Sequence, residues 1–204
     1  TIPGNGLIVA NAAEPALERV LKRGFWTPVE RFNDPAGWRA TGDEVAGTLS
    51  IHDKTEELGT ISWQLSGTHN RNNALAALLA ARHAGVPLAR GLEALSRFEN
   101  VKRRMEVCGT VNGVTVYDDF AHHPTAIETT LAGLRGRVGT ARILAVLEPR
   151  SNTMKLGTMK DALPGSLKDA DRVFCYGGNL GWDAAAALAP LGDKAQTCDD
   201  LTAL

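Results

Sequence analysis

Leu7-Ile8-Val9-Ala10 is a short apolar run of the kind a buried strand requires. Pro15 to Lys22 then repeats Leu17, Val20 and Leu21 at helical spacing. Residues 45–51 and 60–65 alternate or are β-branched, with the polar stretch 52–57 between them, so the pattern predicts a hairpin. From Asn70 to His83 the chain is rich in alanine and leucine and free of glycine and proline, which predicts a helix. Gly85 ends it, and Pro87 can open a second helix with Leu88, Leu92, Leu95 and Phe98 on one side. The polar and basic stretch 99–104 reads as a linker between two domains, 1–100 and 101–204.

The second half starts with 106–111 and 114–117 around Asn112-Gly113, a pair suited to the two positive φ angles of a type I′ turn. A helix is expected from Pro124, with Ile127, Leu131 and Leu134 inward. Ile143-Leu144-Ala145-Val146-Leu147 is apolar without alternation and predicts a strand covered on both faces. A helical stretch at 158–167 leads to a second such strand, Val173-Phe174-Cys175-Tyr176. Strand, helix, strand in this rhythm is a parallel βαβ unit with a right-handed crossover, and the fold class is α/β with a parallel-sheet core. The charged-then-apolar end, 199–204, reads as the start of a helix. No internal repeat is present.

Composition narrows the partners. A formal net charge of −1 gives no reason to invoke nucleic acid or an anionic membrane. No apolar run approaches the ~20 residues that span a bilayer, and Thr1-Ile2-Pro3-Gly4 does not open a signal peptide. Cys108, Cys175 and Cys198 are far apart and form no C-x-x-C, so reduced thiols and a cytoplasmic location are expected.

Four constellations carry chemistry. Gly67-Thr68-His69-Asn70-Arg71-Asn72-Asn73-Ala74 places Asn70 and Asn73 three apart on one face near a helix N-terminus. Their amides match adenine N6 and N7; alternatively Asn70 is only an N-cap. Lys102-Arg103-Arg104 offers guanidinium groups to phosphate or ribose, or is a solvated linker. Asp118-Asp119-Phe120-Ala121-His122-His123-Pro124 follows a strand and precedes a helix, at the edge where α/β proteins hold ligands. Adjacent His122 and His123 diverge and make a poor metal pair, whereas Asp119, in an exposed turn, can receive ribose hydroxyls. The plainer reading is that Asp118 and Asp119 cap the helix and His123 packs. Finally, Glu148-Pro149-Arg150-Ser151-Asn152-Thr153-Met154-Lys155 lies just beyond a parallel strand, where Arg150 and Lys155 can receive a carboxylate or phosphate. Tyr176-Gly177-Gly178-Asn179 stands in the same position after the next strand, and the two loops share one edge if the strands pair.

The order and spacing of these segments resemble the Mur ligase family of ATP-dependent amide-forming ligases. The likeness includes Gly67-x-His69-Asn70-x-x-Asn73-Ala74, Lys102-Arg103-Arg104-Met105-Glu106, the Asp-Asp/His-His turn, and Gly24-Phe25-Trp26-Thr27-Pro28-Val29-Glu30. Leu147 to Lys155 is nearest in wording to the branch that joins UDP-N-acetylmuramate to the murein tripeptide L-alanyl-γ-D-glutamyl-meso-diaminopimelate. The resemblance implies the C-terminal part of a central ATPase domain followed by a truncated Rossmann-like domain. The UDP-sugar domain, the P-loop and the magnesium ligands are expected outside this chain, since no G-x-x-x-x-G-K-[ST] occurs here, and the fragment alone is expected to be inactive. By resemblance, His69, Asn70, Asn73, Arg104, Asp119 and His122 meet ATP. Arg150, Ser151, Asn152, Lys155, Gly178 and Asn179 belong with the incoming peptide. Two other readings stay open: a sister ligase adding a single amino acid such as L-alanine, and a non-catalytic nucleotide-binding module.

Overall fold

The structure is a computed structural model that describes residues 2–43, 45–200 and 202. The chain divides into two compact units, Thr1–Glu99 and Asn100–Leu204.

The first unit runs β1 (Ile8–Asn11), α1 (Pro15–Leu21), β2 (Val29–Phe32), β3 (Trp38–Asp43), β4 (Thr48–Asp53), β5 (Glu56–Ser62), α2 (Thr68–His83) and α3 (Leu88–Ser96). Its sheet has the order β1-β2-β3-β4-β5, parallel from β1 to β3 and antiparallel from β3 to β5. Ala74, Leu75, Leu78 and Leu79 form the buried stripe of α2, at the i, i+1, i+4, i+5 spacing that keeps one helix face on a core. They pack with Phe32, Trp38, Leu49, Ile51 and Trp63 from the strands. The expected hairpin exists, but it is tighter than the sequence implied. Both strands run into the polar stretch until Asp53 faces Glu56, and Lys54 takes a φ of 54° in the turn. β2 and β3 carry no apolar alternation and were not anticipated; each buries a single aromatic residue, Phe32 or Trp38. α1 forms as expected, yet none of its residues is buried. α3 stops at Ser96, so Phe98 lies beyond the helix and is exposed.

The second unit runs β6 (Glu106–Val111), β7 (Val114–Asp118), α4 (Pro124–Val138), β8 (Leu144–Leu147), α5 (Asn152–Lys155), α6 (Leu163–Ser166), β9 (Arg172–Tyr176), α7 (Ala184–Leu188) and β10 (Ala195–Cys198). The β6–β7 hairpin turns at Asn112 and Gly113 with φ of 51° and 78°, as a type I′ turn demands. β8, β9 and β10 make a separate parallel sheet in the order β10-β9-β8. Ile127, Leu131 and Leu134 of α4 meet Ile143, Leu147, Leu163, Leu167, Val173 and Leu188 in one core.

Two expectations are corrected here, and a third is not tested. β8 is an edge strand with one covered face: Leu144 and Val146 are 48% and 68% exposed while Leu147 points inward. Residues 158–167 do not make one helix. A 3₁₀ turn, Lys160–Ala162, precedes the short α6, whose Pro164 lacks the N–H needed to continue a longer helix. The helix start read at 199–204 falls partly outside the described residues, which do not include 201, 203 and 204.

Candidate functional site

In the first unit the candidate residues sit on the opening turns of α2. Gly67 is the N-cap, with φ 89° and ψ 148°, and no side chain caps the helix. Asn70 is therefore not the N-cap. It is the third helical residue, and its Nδ2 donates back to the Ser66 carbonyl at 2.7 Å, which leaves the Oδ1 without a partner among the described residues. Asn73, one turn on, is exposed, and His69 is half-buried. The two amides thus share a face, as helical spacing requires.

A neighbouring amide cluster escaped the sequence reading. Asn33, with φ 58°, donates through Nδ2 to Asn11 Oδ1 and to Asn72 Oδ1, both at 2.9 Å. Asn11 Oδ1 also accepts the Ala13 N–H at 3.1 Å. The C-terminal ends of β1 and β2 are thereby tied to the start of α2. The available signal was Asn33-Asp34-Pro35, since asparagine is the side chain best able to hold a left-handed turn residue.

In the second unit, residues 100–105 are not a slack linker. Arg103 donates its N–H to Glu106 Oε2 at 2.8 Å and its Nε–H to Asp118 Oδ2 at 3.0 Å, while its carbonyl accepts the Phe120 N–H at 2.8 Å. Its guanidinium also lies 5.3 Å from the Phe120 ring centroid. The Arg104 carbonyl accepts from Asn100 Nδ2. Met105 donates its N–H to Asp119 Oδ2 at 2.9 Å. Arg103 and Met105 have φ of 59° and 51°, so two left-handed residues flank Arg104, whose side chain is exposed.

Neither acid caps α4. Asp118 pairs with Arg103, and Asp119 Oδ1 accepts the Ala121 N–H at 2.7 Å and, more weakly, the Thr130 hydroxyl at 3.4 Å. The N-cap is His123, whose Nδ1 accepts the Thr125 N–H at 3.3 Å. His122 Nδ1 donates to the Phe120 carbonyl at 2.9 Å, and its ring stands edge-on to Phe120 at 5.1 Å. Its Nε2 has no partner among the described residues. Asp119 keeps spare acceptor capacity at Oδ2, which takes one donor where a carboxylate oxygen takes about two.

The loops after β8 and β9 do lie at the same edge, because these strands pair in parallel from Leu144↔Arg172 to Leu147↔Cys175. Arg150 is exposed beside the buried Pro149. Ser151 is the N-cap of α5, accepting the Met154 N–H at 3.3 Å, and Asn152 and Lys155 are exposed on that turn. Beyond β9, Gly178 lies against the Tyr176 ring, and Asn179 is exposed with φ 63°. The edge thus presents one guanidinium and one ammonium, suited to carboxylates or phosphates.

Elsewhere, charge serves the fold. Asp171, at the turn before β9, accepts the Ile143 N–H at 2.7 Å and Arg135 Nη2 at 2.6 Å. Those two partners, the backbone N–H first, hold its carboxyl below the usual range. Burial pushes the Cys175 thiol up to about 11, so it is inert packing. Among the described residues no three His, Cys, Asp or Glu side chains gather to hold a metal ion, and no helix is long and apolar enough to cross a membrane.

Comparison with known proteins adds to this geometry. The family described as Mur ligase, glutamate ligase domain, matches residues 103–204. The UDP-N-acetylmuramate–L-alanyl-γ-D-glutamyl-meso-2,6-diaminoheptandioate ligase of Escherichia coli K12 is 49% identical over 177 residues, 85% of this chain and 38% of the relative. The ligase of the same description from Haemophilus influenzae is 44% identical over 190 residues, 91% of this chain and 42% of its own length. Among solved structures, a murein peptide ligase from Psychrobacter arcticus superposes with a TM-score of 0.69 at 36% identity, over 99% of this chain and 45% of that one. This chain therefore spans about two fifths of the curated relatives it matches.

Proposed function

Because the chain belongs to the Mur ligase family, we propose that it is part of an ATP-dependent ligase of peptidoglycan recycling. The reaction joins UDP-N-acetylmuramate to the tripeptide L-alanyl-γ-D-glutamyl-meso-diaminopimelate. The support that weighs most is that the family match begins at Arg103 and takes in the second-unit candidate residues from Arg104 to Asn179.

The sugar carboxylate attacks the γ-phosphorus of ATP, releasing ADP and forming an acyl phosphate. The peptide amine then attacks the acyl carbon, and phosphate leaves from the tetrahedral intermediate as the amide forms. Charge neutralisation and alignment supply most of the rate in such transfers. In the first unit, Asn70 and Asn73 read the adenine edge, with His69 beside them. In the second, Arg104 meets phosphate or ribose, the spare lone pair of Asp119 Oδ2 accepts a ribose hydroxyl, and His122 Nε2 accepts another. Arg150 and Lys155 take the carboxylates of the peptide, and Ser151, Asn152, Gly178 and Asn179 complete that edge. Each charge-assisted bond of this kind contributes about 1.5–3 kcal/mol. ATP of this class carries a magnesium ion that would offset phosphate charge, and among the described residues no three His, Cys, Asp or Glu side chains gather to hold it. Use of ATP and a UDP-sugar places the reaction in the cytoplasm.

The test is ADP release by the intact ligase supplied with ATP, UDP-N-acetylmuramate and tripeptide. Release that depends on both acceptors supports the reading. Equal turnover with L-alanine in place of tripeptide replaces it with the single-residue ligase. Nucleotide binding with no acceptor-dependent release replaces it with a binding module.

A further inference from the structure

We infer that Trp182 is a positioning residue for the acceptor edge: it holds the single-turn helix α5, and with it Arg150, Asn152 and Lys155, in the arrangement that receives the peptide. The inference rests on the acceptor role proposed above for those residues.

A helix of one turn does not sustain itself, because nucleation is costly and its last carbonyls have no partner within the helix. α5 is four residues long. Its front is closed locally, with the Met154 N–H on Ser151 Oγ and the Lys155 N–H on the Ser151 carbonyl at 2.8 Å. Its back is closed partly by its own chain, the Gly157 N–H meeting the Met154 carbonyl at 3.0 Å, and partly from another loop. The Trp182 indole N–H donates to the Met154 carbonyl at 2.8 Å, and the Gly181 N–H reaches the Lys155 carbonyl at 3.4 Å. Both donors belong to the segment after β9, so two loops from neighbouring strands are joined at their functional ends.

The fit between them is close. Gly157 follows α5 with φ +70°, and a Cβ there would stand 2.7 Å from Trp182 Cδ1 and 3.0 Å from Cγ. The indole therefore rests on the one residue of that turn that lacks a side chain. Met154 is buried beneath, and Trp182 packs on the same core. Trp182 is itself fixed by its successor: Asp183 is the N-cap of α7 and accepts the Ala186 N–H at 3.0 Å. Arg150, Asn152 and Lys155 stay exposed around this tie. No polar group of the Trp182 side chain is left for a ligand once its indole N–H is engaged, so that side chain's effect on the substrate passes through α5.

Trp182→Phe keeps an aromatic ring and removes the N–H. In the intact ligase it should raise the KM for tripeptide about threefold to tenfold, the worth of one neutral hydrogen bond, and leave the KM for ATP unchanged. Gly157→Ala, which displaces the indole from the other side, should reproduce that pattern. An unchanged tripeptide KM in Trp182→Phe overturns the inference, and so does a parallel rise in both KM values, which marks a general packing role. Hydrogen exchange across 151–157 reads the tie without turnover: it should quicken in both variants, and unaltered exchange also overturns the inference. Wild-type enzyme without acceptor-dependent ADP release would instead overturn the functional reading, while the exchange result would still stand or fall separately.

Discussion

Removing the Asp119 side chain should free the segment that presents Arg104. From its place in a turn, Asp119 reads as dispensable to the fold. The geometry reverses that expectation, since the carboxylate accepts the Met105 N–H at 2.9 Å and the Ala121 N–H at 2.7 Å. Hydrogen bonds to a charged acceptor contribute about 1.5–3 kcal/mol each, less where water can replace them. Asp119 is half-buried, so about 2–3 kcal/mol for the pair is the working figure. The bond from Thr130, at 3.4 Å, is too long to add much. Met105 makes the loss costlier to Arg104, because its left-handed backbone persists only while something holds it. Hydrogen exchange in the intact protein measures this local opening directly. Asp119→Ala should speed exchange across 100–123 about 30- to 150-fold, the equivalent of 2–3 kcal/mol, and leave the α2 peptides unchanged. A change below about threefold would mean that the carboxylate is no clamp. ATP kinetics of the same variant would then report a ribose contact alone.

Leu79→Ala empties a fully buried site facing the first sheet and should cost about 2–5 kcal/mol, read as a lower urea midpoint at unchanged m-value. A shift under 1 kcal/mol would show that α2 is not the keel of that unit. Asn70→Ala should cut the preference for ATP over GTP by about tenfold, as loss of an amide–adenine contact does; unchanged preference would count against adenine readout by this residue. The folded-state pKa of Asp171 is lowered by the Ile143 N–H and Arg135, so its contribution is present above the ordinary aspartate value and is lost as pH falls through the folded one. Asp171→Asn should accordingly be less stable at neutral pH and lose less on acidification below about pH 4; parallel wild-type and variant curves of urea midpoint against pH would refute this.

What the sequence disclosed followed from how few rules each element needed. α2 and α4 were legible because long runs without glycine or with a leading proline admit little else, and the β6–β7 turn because Asn112-Gly113 suits one turn type. β2 and β3 were hidden, since Glu30, Arg31 and Arg39 interrupt any apolar rhythm and each strand needs only one aromatic anchor. β8 looked doubly covered because its composition does not register that the face carrying Leu144 and Val146 is left exposed. At the candidate site the segments were found but not their wiring. With Asp118, Asp119, His122 and His123 crowded ahead of Pro124, only coordinates distinguish the cap from the clamp and the ion pair. Trp182 carried no motif; its partner is a backbone carbonyl, which sequence does not distinguish.

The stapling of Arg103 has an electrical consequence. Lys102, Arg103 and Arg104 count as three cations on paper, but Asp118 and the Phe120 ring already absorb the middle one. An incoming anion would meet a doublet, so salt should screen its binding at this stretch as it screens two exposed cations rather than three.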